Sequence, residues 1–105
     1  MRRAAKVDAN QTQIVSALRA AGVSVQSLAA VGNGVPDLLC GFRGKLSLLE
    51  VKDGGKVPSA RKLTSAQNDW HAIWADVPLF VVETPEQALI ALGVLAPKPT
   101  GDTHV

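Results

Sequence analysis

Two carboxylates and one ammonium are the side chains whose spacing along this sequence suggests chemistry. Asp37 follows a proline at the start of one apolar run, and Glu50 and Lys52 lie at the end of the next run. Arg43-Gly44 joins the two runs, and a two-residue connection ending in glycine is typical of a β-hairpin. Counting back from that turn places Asp37 opposite Glu50, with Cβ atoms ~4.5–5.5 Å apart. Lys52 lies two residues further along the same face.

Like charges that face each other across a hairpin are destabilising unless something compensates them. A divalent cation would do so, because Mg²⁺ takes oxygen ligands and binds one or two carboxylates together with water and substrate phosphate. Such an ion can generate hydroxide and stabilise charge on a phosphodiester. Lys52 would orient or deprotonate the attacking water, or stabilise the developing charge. Two plainer explanations stay open: Asp37 as part of a Pro-Asp turn, and Glu50 with Lys52 as an ordinary edge-strand charge pair.

The remaining pattern predicts the elements that would hold these groups. Apolar side chains recur on one helical face before Gly22, which ends that helix, and Thr64-Ser65-Ala66-Gln67 is a capping box that opens another. The predicted order is helix 8–21, strands 23–28, 36–42 and 45–52, a loop over 53–62, helix 64–76, strand 77–82, and a helix from 84 that residue 93 ends. This α-β-β-β-α-β-α order predicts an α/β fold with a central mixed sheet flanked by helices. We expect a single domain over residues 1–96 and a flexible tail over 97–105.

Composition narrows the class of protein. The chain has 105 residues, of which 47% are hydrophobic, 19% are charged and one is cysteine. One domain can therefore bury a core, while an intrachain disulfide and a cysteine-based zinc site are excluded. The apolar runs are too short to span a bilayer, and the basic N-terminus leads into polar residues, unlike a signal peptide. We expect a cytoplasmic protein with no membrane partner.

The net charge of +2 conceals an uneven distribution. Residues 43–62 contain six Lys and Arg against two acids, and the chain has only four Trp and Phe and no Tyr. We therefore expect contacts to a phosphate backbone rather than stacking on bases. The expected DNA-binding residues are Arg43, Lys45, Lys56, Arg61 and Lys62. Arg43 and Lys45 flank a turn, and both are also explained as solvated charges.

Three stretches carry a family pattern: 33–39 (Asn-Gly-Val-Pro-Asp-Leu-Leu), 49–54 (Leu-Glu-Val-Lys-Asp-Gly), and Leu63-Thr64 followed by Gln67 and Trp70. The pattern resembles the PD-(D/E)XK nuclease superfamily, whose core is restriction-endonuclease-like. Within it the chain is most similar to the stand-alone virus-type replication-repair nuclease (VRR-NUC) family, and archaeal-type Holliday junction resolvases share the same core.

The resemblance implies a role for each matching residue. Asp37 and Glu50 would be the metal ligands, with the Val51 carbonyl as a further oxygen, and Lys52 would be the catalytic lysine. Gln67 matches a glutamine near the active site, although the capping box alone also explains it. One position departs from the pattern. Gln11 stands where related nucleases often carry a glutamate that reaches the metal, and the departure bears on a second metal ion rather than on the primary site.

The resemblance implies an endonuclease that depends on Mg²⁺ or Mn²⁺ and hydrolyses phosphodiester bonds of DNA. A chain occupied by its catalytic core fits the cutting of branched DNA, such as a Holliday junction, better than the recognition of a long base sequence. Cutting both sides of a junction needs two active sites, so we expect a homodimer. A non-catalytic nucleic-acid-binding module with a degenerate nuclease fold is the alternative, and Gln11 is its main support.

Overall fold

The computed structural model describes residues 9–97, apart from the side chain of Ala60. Four strands form one mixed sheet in the order β1-β2-β3-β4, in which β1 to β3 are antiparallel and β4 is parallel to β3. The elements are α1 (Ala9–Ala20), β1 (Ser24–Ser27), β2 (Leu38–Phe42), β3 (Lys45–Val51), α2 (Pro58–Arg61), α3 (Ser65–Ile73), β4 (Leu79–Val82) and α4 (Pro85–Ala91). The predicted α/β fold is confirmed. The predicted flexible tail lies outside the described residues, except for Pro97.

The predicted hairpin between β2 and β3 is confirmed together with its register. Arg43 and Gly44 both have positive φ, at 52° and 80°, as a two-residue type I′ turn requires. The pairing then runs from Phe42 opposite Lys45 to Leu38 opposite Leu49. Continued by one residue, this register puts Asp37 opposite Glu50.

The core lies between the sheet and the helices α1 and α4, which contact each other. Ile14 and Leu18 of α1 are fully buried against Leu38 and Leu49 of the sheet, and Ala88 of α4 completes this layer. Cys40 lies in the same core, where burial raises the pKa of its thiol to about 11. The thiol is therefore the inert, buried group that its apolar neighbours predict.

The second face of the sheet carries Leu39, Leu48 and Glu50, because side chains alternate along each strand. The helix α3 lies on this side. The helix has no fully buried residue, and Trp74 at its end is 46% exposed. The two tryptophan rings stack on each other, with centroids 4.8 Å apart and planes 9° apart, so part of their surface is covered by the pair itself.

The predicted loop over residues 53–62 contains one turn of helix, α2. Pro58 begins this turn, and proline favours the first helical position because its φ is already helical and its missing N–H needs no partner there. The helix α3 begins at the predicted capping box but ends at Ile73, three residues before the predicted end. Within residues 9–97, no helix is both long and apolar enough to cross a membrane.

Candidate active site

The predicted site residues meet at the carboxyl end of β3. Asp37 lies just before β2, and Glu50 and Val51 are the last two residues of β3. The Asp37 Oδ2 atom accepts a hydrogen bond of 2.7 Å from the backbone N–H of Val51. This bond turns the Asp37 carboxylate towards β3 at the level of Glu50, where the strand pairing between β2 and β3 has ended.

The carboxyl group of Glu50 is buried next to the carboxyl group of Asp37. The Glu50 side chain is 2% exposed. Burial, and after it the charge of Asp37, raise the pKa of the Glu50 carboxyl to about 8, while the charge of Lys52 acts in the opposite direction. Oε2 accepts from Gln67 at 3.1 Å and lies 3.8 Å from the Lys52 ammonium. Oε1 is buried and has no hydrogen-bond partner among the described residues.

The side chain of Gln67 makes hydrogen bonds both within the cap of α3 and with the residues of the site. Its Oε1 atom accepts the backbone N–H of Thr64 at 2.9 Å, and Thr64 Oγ1 accepts the backbone N–H of Gln67 at 3.1 Å. The predicted capping box is thus present. The same Oε1 atom also accepts from Lys52 Nζ at 2.8 Å, while Nε2 donates to Glu50. The cap therefore fixes Gln67 in the position that connects Lys52 with Glu50.

The direction of the Val51 carbonyl follows from its neighbour's hydrogen bond. The Lys52 N–H donates to the Val82 carbonyl of β4 at 2.9 Å. No cis peptide bond is present in the described part of the chain, and in a planar trans peptide the carbonyl points opposite to the next N–H. The Val51 carbonyl therefore points away from β4, towards the side of the strand on which Asp37 lies.

These oxygens fit a hard divalent cation. The unpartnered Glu50 Oε1 is a buried acceptor that lacks a donor, and Asp37 and the Val51 carbonyl supply further oxygens on the same side. Mg²⁺ and Mn²⁺ take such carboxylate and carbonyl oxygens and keep several waters. Two carboxylates and a carbonyl differ from the Cys and His ligands of a structural zinc site. Within residues 9–97, no group of three His, Cys, Asp or Glu side chains that could hold a metal is found.

Gly34 allows the loop before Asp37 to touch the start of α3. Its φ is +84°, and a Cβ atom there would collide with the backbone carbonyl of Ala66. Since Ala66 directly precedes Gln67, this close approach brings the two sides of the site together. The glycine belongs to the first stretch of the family pattern, but its contact with α3 has no signal in the local sequence.

Gln11 is one of the three buried residues of α1. It is 7% exposed and lines a cavity between α1 and β1 with Val15, Arg19 and Val25 among its neighbours. Among the described residues, no hydrogen bond joins it to Asp37 or Glu50. Its role at a metal site remains a prediction.

The structure separates the predicted DNA-binding residues into two groups. Arg43 and Lys45 are exposed at the hairpin turn. Lys45 is seven residues from Lys52, which at about 3.4 Å per residue is about 24 Å along β3. Arg43 lies over the ring of Phe42, 4.9 Å from its centroid.

The other group flanks the site. Lys56 and Lys62 are exposed, whereas Arg61 is half-buried and pairs with Glu83, with 4.0 Å between Nη1 and Oε2. The same Glu83 carboxylate crowds Gly54, where a Cβ atom would lie 2.6 Å from Oε1. Glu83 therefore connects the basic segment to the end of β4.

Two further residues lie near the site, and no sequence pattern predicted their positions there. Asn10 donates from Nδ2 to the Lys52 carbonyl at 2.8 Å, across 42 residues of sequence. His71 is partly buried one turn after Gln67, and its Nε2 atom has no hydrogen-bond partner among the described residues. Burial and the nearby charge of Lys52 lower the pKa of His71. Both placements depend on how α1 and α3 pack on the sheet.

Comparison with known proteins gives one informative match. No protein-family model matches the chain, and no match is found among curated proteins. A solved structure described as a VRR_NUC domain is similar over 76% of this chain and 88% of its own length, with 30% sequence identity and a TM-score of 0.57. The similarity includes sequence as well as fold.

Proposed function

The chain belongs to the VRR-NUC family, and from that premise we propose that it is a metal-dependent endonuclease that hydrolyses phosphodiester bonds in DNA. The observation that carries the proposal is the unpartnered, buried Oε1 atom of Glu50 beside Asp37. An acid pair of this kind is destabilising by itself and becomes useful when a cation binds. Membership of the family supports a nuclease domain, and the acid pair supports the metal.

Each group of the site then has a task. Asp37, Glu50 and the Val51 carbonyl would hold Mg²⁺ or Mn²⁺, which when bound supplies an activated water and neutralises charge on the phosphate. Lys52 keeps its ammonium at the site through the 2.8 Å bond to Gln67, where it orients the attacking water or stabilises the developing charge. Gln67 holds Lys52 and Glu50 at a fixed separation, which is a positioning task.

The basic residues support DNA as the substrate. Lys56 and Lys62 lie on the segment that connects β3 with α3, next to the site, and Arg43 with Lys45 would reach a more distant part of the backbone. We propose branched DNA, including Holliday junctions, as the substrate. Two separated groups of basic residues can contact the backbones of two DNA arms, whereas one short duplex contact would need only one group. A cytoplasmic setting, in which Cys40 stays reduced, is part of the same proposal.

A homodimer is the assembly that we propose, since two strands of a junction need two active sites. Four exposed apolar side chains support it: Ile73 and Trp74 at the end of α3, and Phe80 and Val81 on the edge strand β4. An edge strand without charge is a template for another strand. Light scattering should give twice the chain mass, and Val81→Lys should reduce it to one chain, whereas Leu46→Lys on β3 should not.

The cleavage test uses four-way-junction, flap and linear DNA with Mg²⁺ or Mn²⁺. The wild-type chain should cut at least one of them, Asp37→Ala and Lys52→Ala should not, and Asp53→Ala should serve as a control beside the site. The competing function is a non-catalytic nucleic-acid-binding module, which the glutamine at position 11 favours. Binding without metal-dependent cleavage would establish that module, and cleavage by both variants would refute the site.

A further inference from the structure

Lys52 lies one residue beyond the end of β3, where the sheet no longer fixes the chain by regular pairing. Two hydrogen bonds hold its backbone instead. Its N–H donates to the Val82 carbonyl at 2.9 Å, and its carbonyl accepts from the side-chain amide of Asn10 at 2.8 Å. The first bond comes from the neighbouring strand, and the second comes from the start of α1.

These two bonds fix the two peptide planes on either side of the Lys52 Cα atom. Only φ and ψ connect those planes, so the direction of the Cα–Cβ bond is determined once both are held. After Lys52 the chain enters Asp53-Gly54-Gly55, and glycines add conformational freedom there. The hydrogen bond from Asn10 to the Lys52 carbonyl therefore holds the backbone of Lys52 in place just before the glycine-containing loop begins.

We propose that Asn10 is a positioning residue for the reaction: its amide holds the Lys52 carbonyl and thereby directs the lysine side chain towards Gln67 and Glu50. This inference rests on the proposed function, because it takes Lys52 as the lysine of the active site. Asn10 acts through the backbone of Lys52 and has no part in the chemistry itself.

The chemistry of the bond explains the residue type. The Lys52 carbonyl is an acceptor, so its partner must donate, and an asparagine amide does so from a short side chain. Aspartate has the same shape but only acceptor oxygens when ionised. Asn10→Asp therefore removes the bond without changing the volume, which makes it more informative than a truncation.

A purely structural role is the alternative, in which Asn10 only fastens α1 to the sheet. The helix already has Ile14 and Leu18 fully buried in the core, and one amide–carbonyl bond adds little to that. A positioning role predicts an effect on turnover larger than the loss of folded protein. A fastening role predicts an effect on stability alone.

The test compares Asn10→Asp and Asn10→Ala with the control Gln13→Ala, an exposed glutamine on the same helix. Amide hydrogen exchange should quicken in residues 51–56 of both Asn10 variants and stay unchanged in β2. With DNA and Mn²⁺, kcat should fall about tenfold or more, since small misplacements of catalytic groups have such effects, while KM stays within about twofold. Thermal unfolding should show that both variants are folded at the assay temperature.

Three results would overturn the inference: unchanged hydrogen exchange at residues 51–56, a wild-type kcat in Asn10→Asp, or a loss of kcat that matches the loss of folded protein. If the wild-type chain cuts no DNA, the proposed function fails by itself. Hydrogen exchange then decides alone, with faster exchange at residues 51–56 supporting the anchor and unchanged exchange refuting it.

Discussion

The acidic pair of the site predicts an unusual dependence of stability on pH. The Glu50 carboxyl has a pKa of about 8 in the folded chain, raised from 4.5 by burial and by the Asp37 charge. Because the folded chain holds the proton more tightly than the unfolded chain, metal-free stability falls as the pH rises from 4.5 to 8. Each pH unit in that window costs about 1.4 kcal/mol. At pH 7 the cost is about 3 kcal/mol, which is an upper limit for a coupled pair.

Glu50→Gln removes this titration and keeps the shape of the side chain. In EDTA we expect the variant to be more stable than the wild type at pH 8, with the difference shrinking as the pH is lowered to 5. Even 1 kcal/mol would move the melting temperature of a domain of this size by about 4–8 °C. Thermal unfolding followed by circular dichroism, with Asp69→Asn as an exposed-carboxylate control, measures the difference.

The same variant should lose the response to metal. At pH 8, Mn²⁺ at 100 times its Kd should stabilise the wild-type chain by about 2.7 kcal/mol, and Glu50→Gln should show little of this gain. Lowering the pH below 8 should weaken metal binding, because the ion then competes with the proton on Glu50. If the stability of Glu50→Gln and that of the wild type changed with pH in parallel in EDTA, the buried Glu50 carboxylate would not be the group that destabilises the metal-free chain, and the reasoning would be refuted.

Three further predictions concern the groups around the carboxylates. Gln67→Ala keeps the bond from its backbone N–H to Thr64 but loses the bond from the Thr64 N–H to its side chain, and it should destabilise the chain by about 1 kcal/mol, the usual net effect of one hydrogen bond. It should lower cleavage far more than this loss of stability accounts for, and equal losses would contradict a role of Gln67 in both the helix cap and the site. Glu83→Gln should free Arg61 for phosphate, so DNA binding measured by anisotropy should tighten and its salt dependence should steepen by about one ion; an unchanged slope would show that Arg61 does not reach the backbone. Removing Arg43 and Lys45 together should weaken binding only to arms longer than about seven base pairs, since 24 Å spans that length at about 3.4 Å per pair; a loss on short arms would mean that DNA takes another path.

The sequence predicted the parts of the site that depend on local rules. Arg43-Gly44 fixed the register of the hairpin, because a two-residue turn admits one pairing, and this register brought Asp37 opposite Glu50. Gln67 was recognised by its spacing from Thr64, and its side chain makes both the cap and the contact with Lys52. The roles of these residues in catalysis remain predictions.

The parts that the sequence did not predict depend on packing between distant elements. Asn10 reaches Lys52 across 42 residues, and Arg61 meets Glu83 only because α2 lies beside the end of β4. Trp74 shares a helical face with Gln67 and Trp70 by spacing, yet it is 46% exposed, because spacing gives the face of a helix and not how completely the sheet covers that face.

The most direct test of the central claim is the rate at which a labelled four-way junction is cut in Mn²⁺ by the wild-type chain and by Glu50→Gln. The variant should be at least as stable as the wild type without metal, so unfolding cannot explain a loss. The account predicts that the wild-type chain cuts the junction in Mn²⁺ and not in EDTA, and that Glu50→Gln cuts it in neither. Cleavage by Glu50→Gln at the wild-type rate would contradict the account.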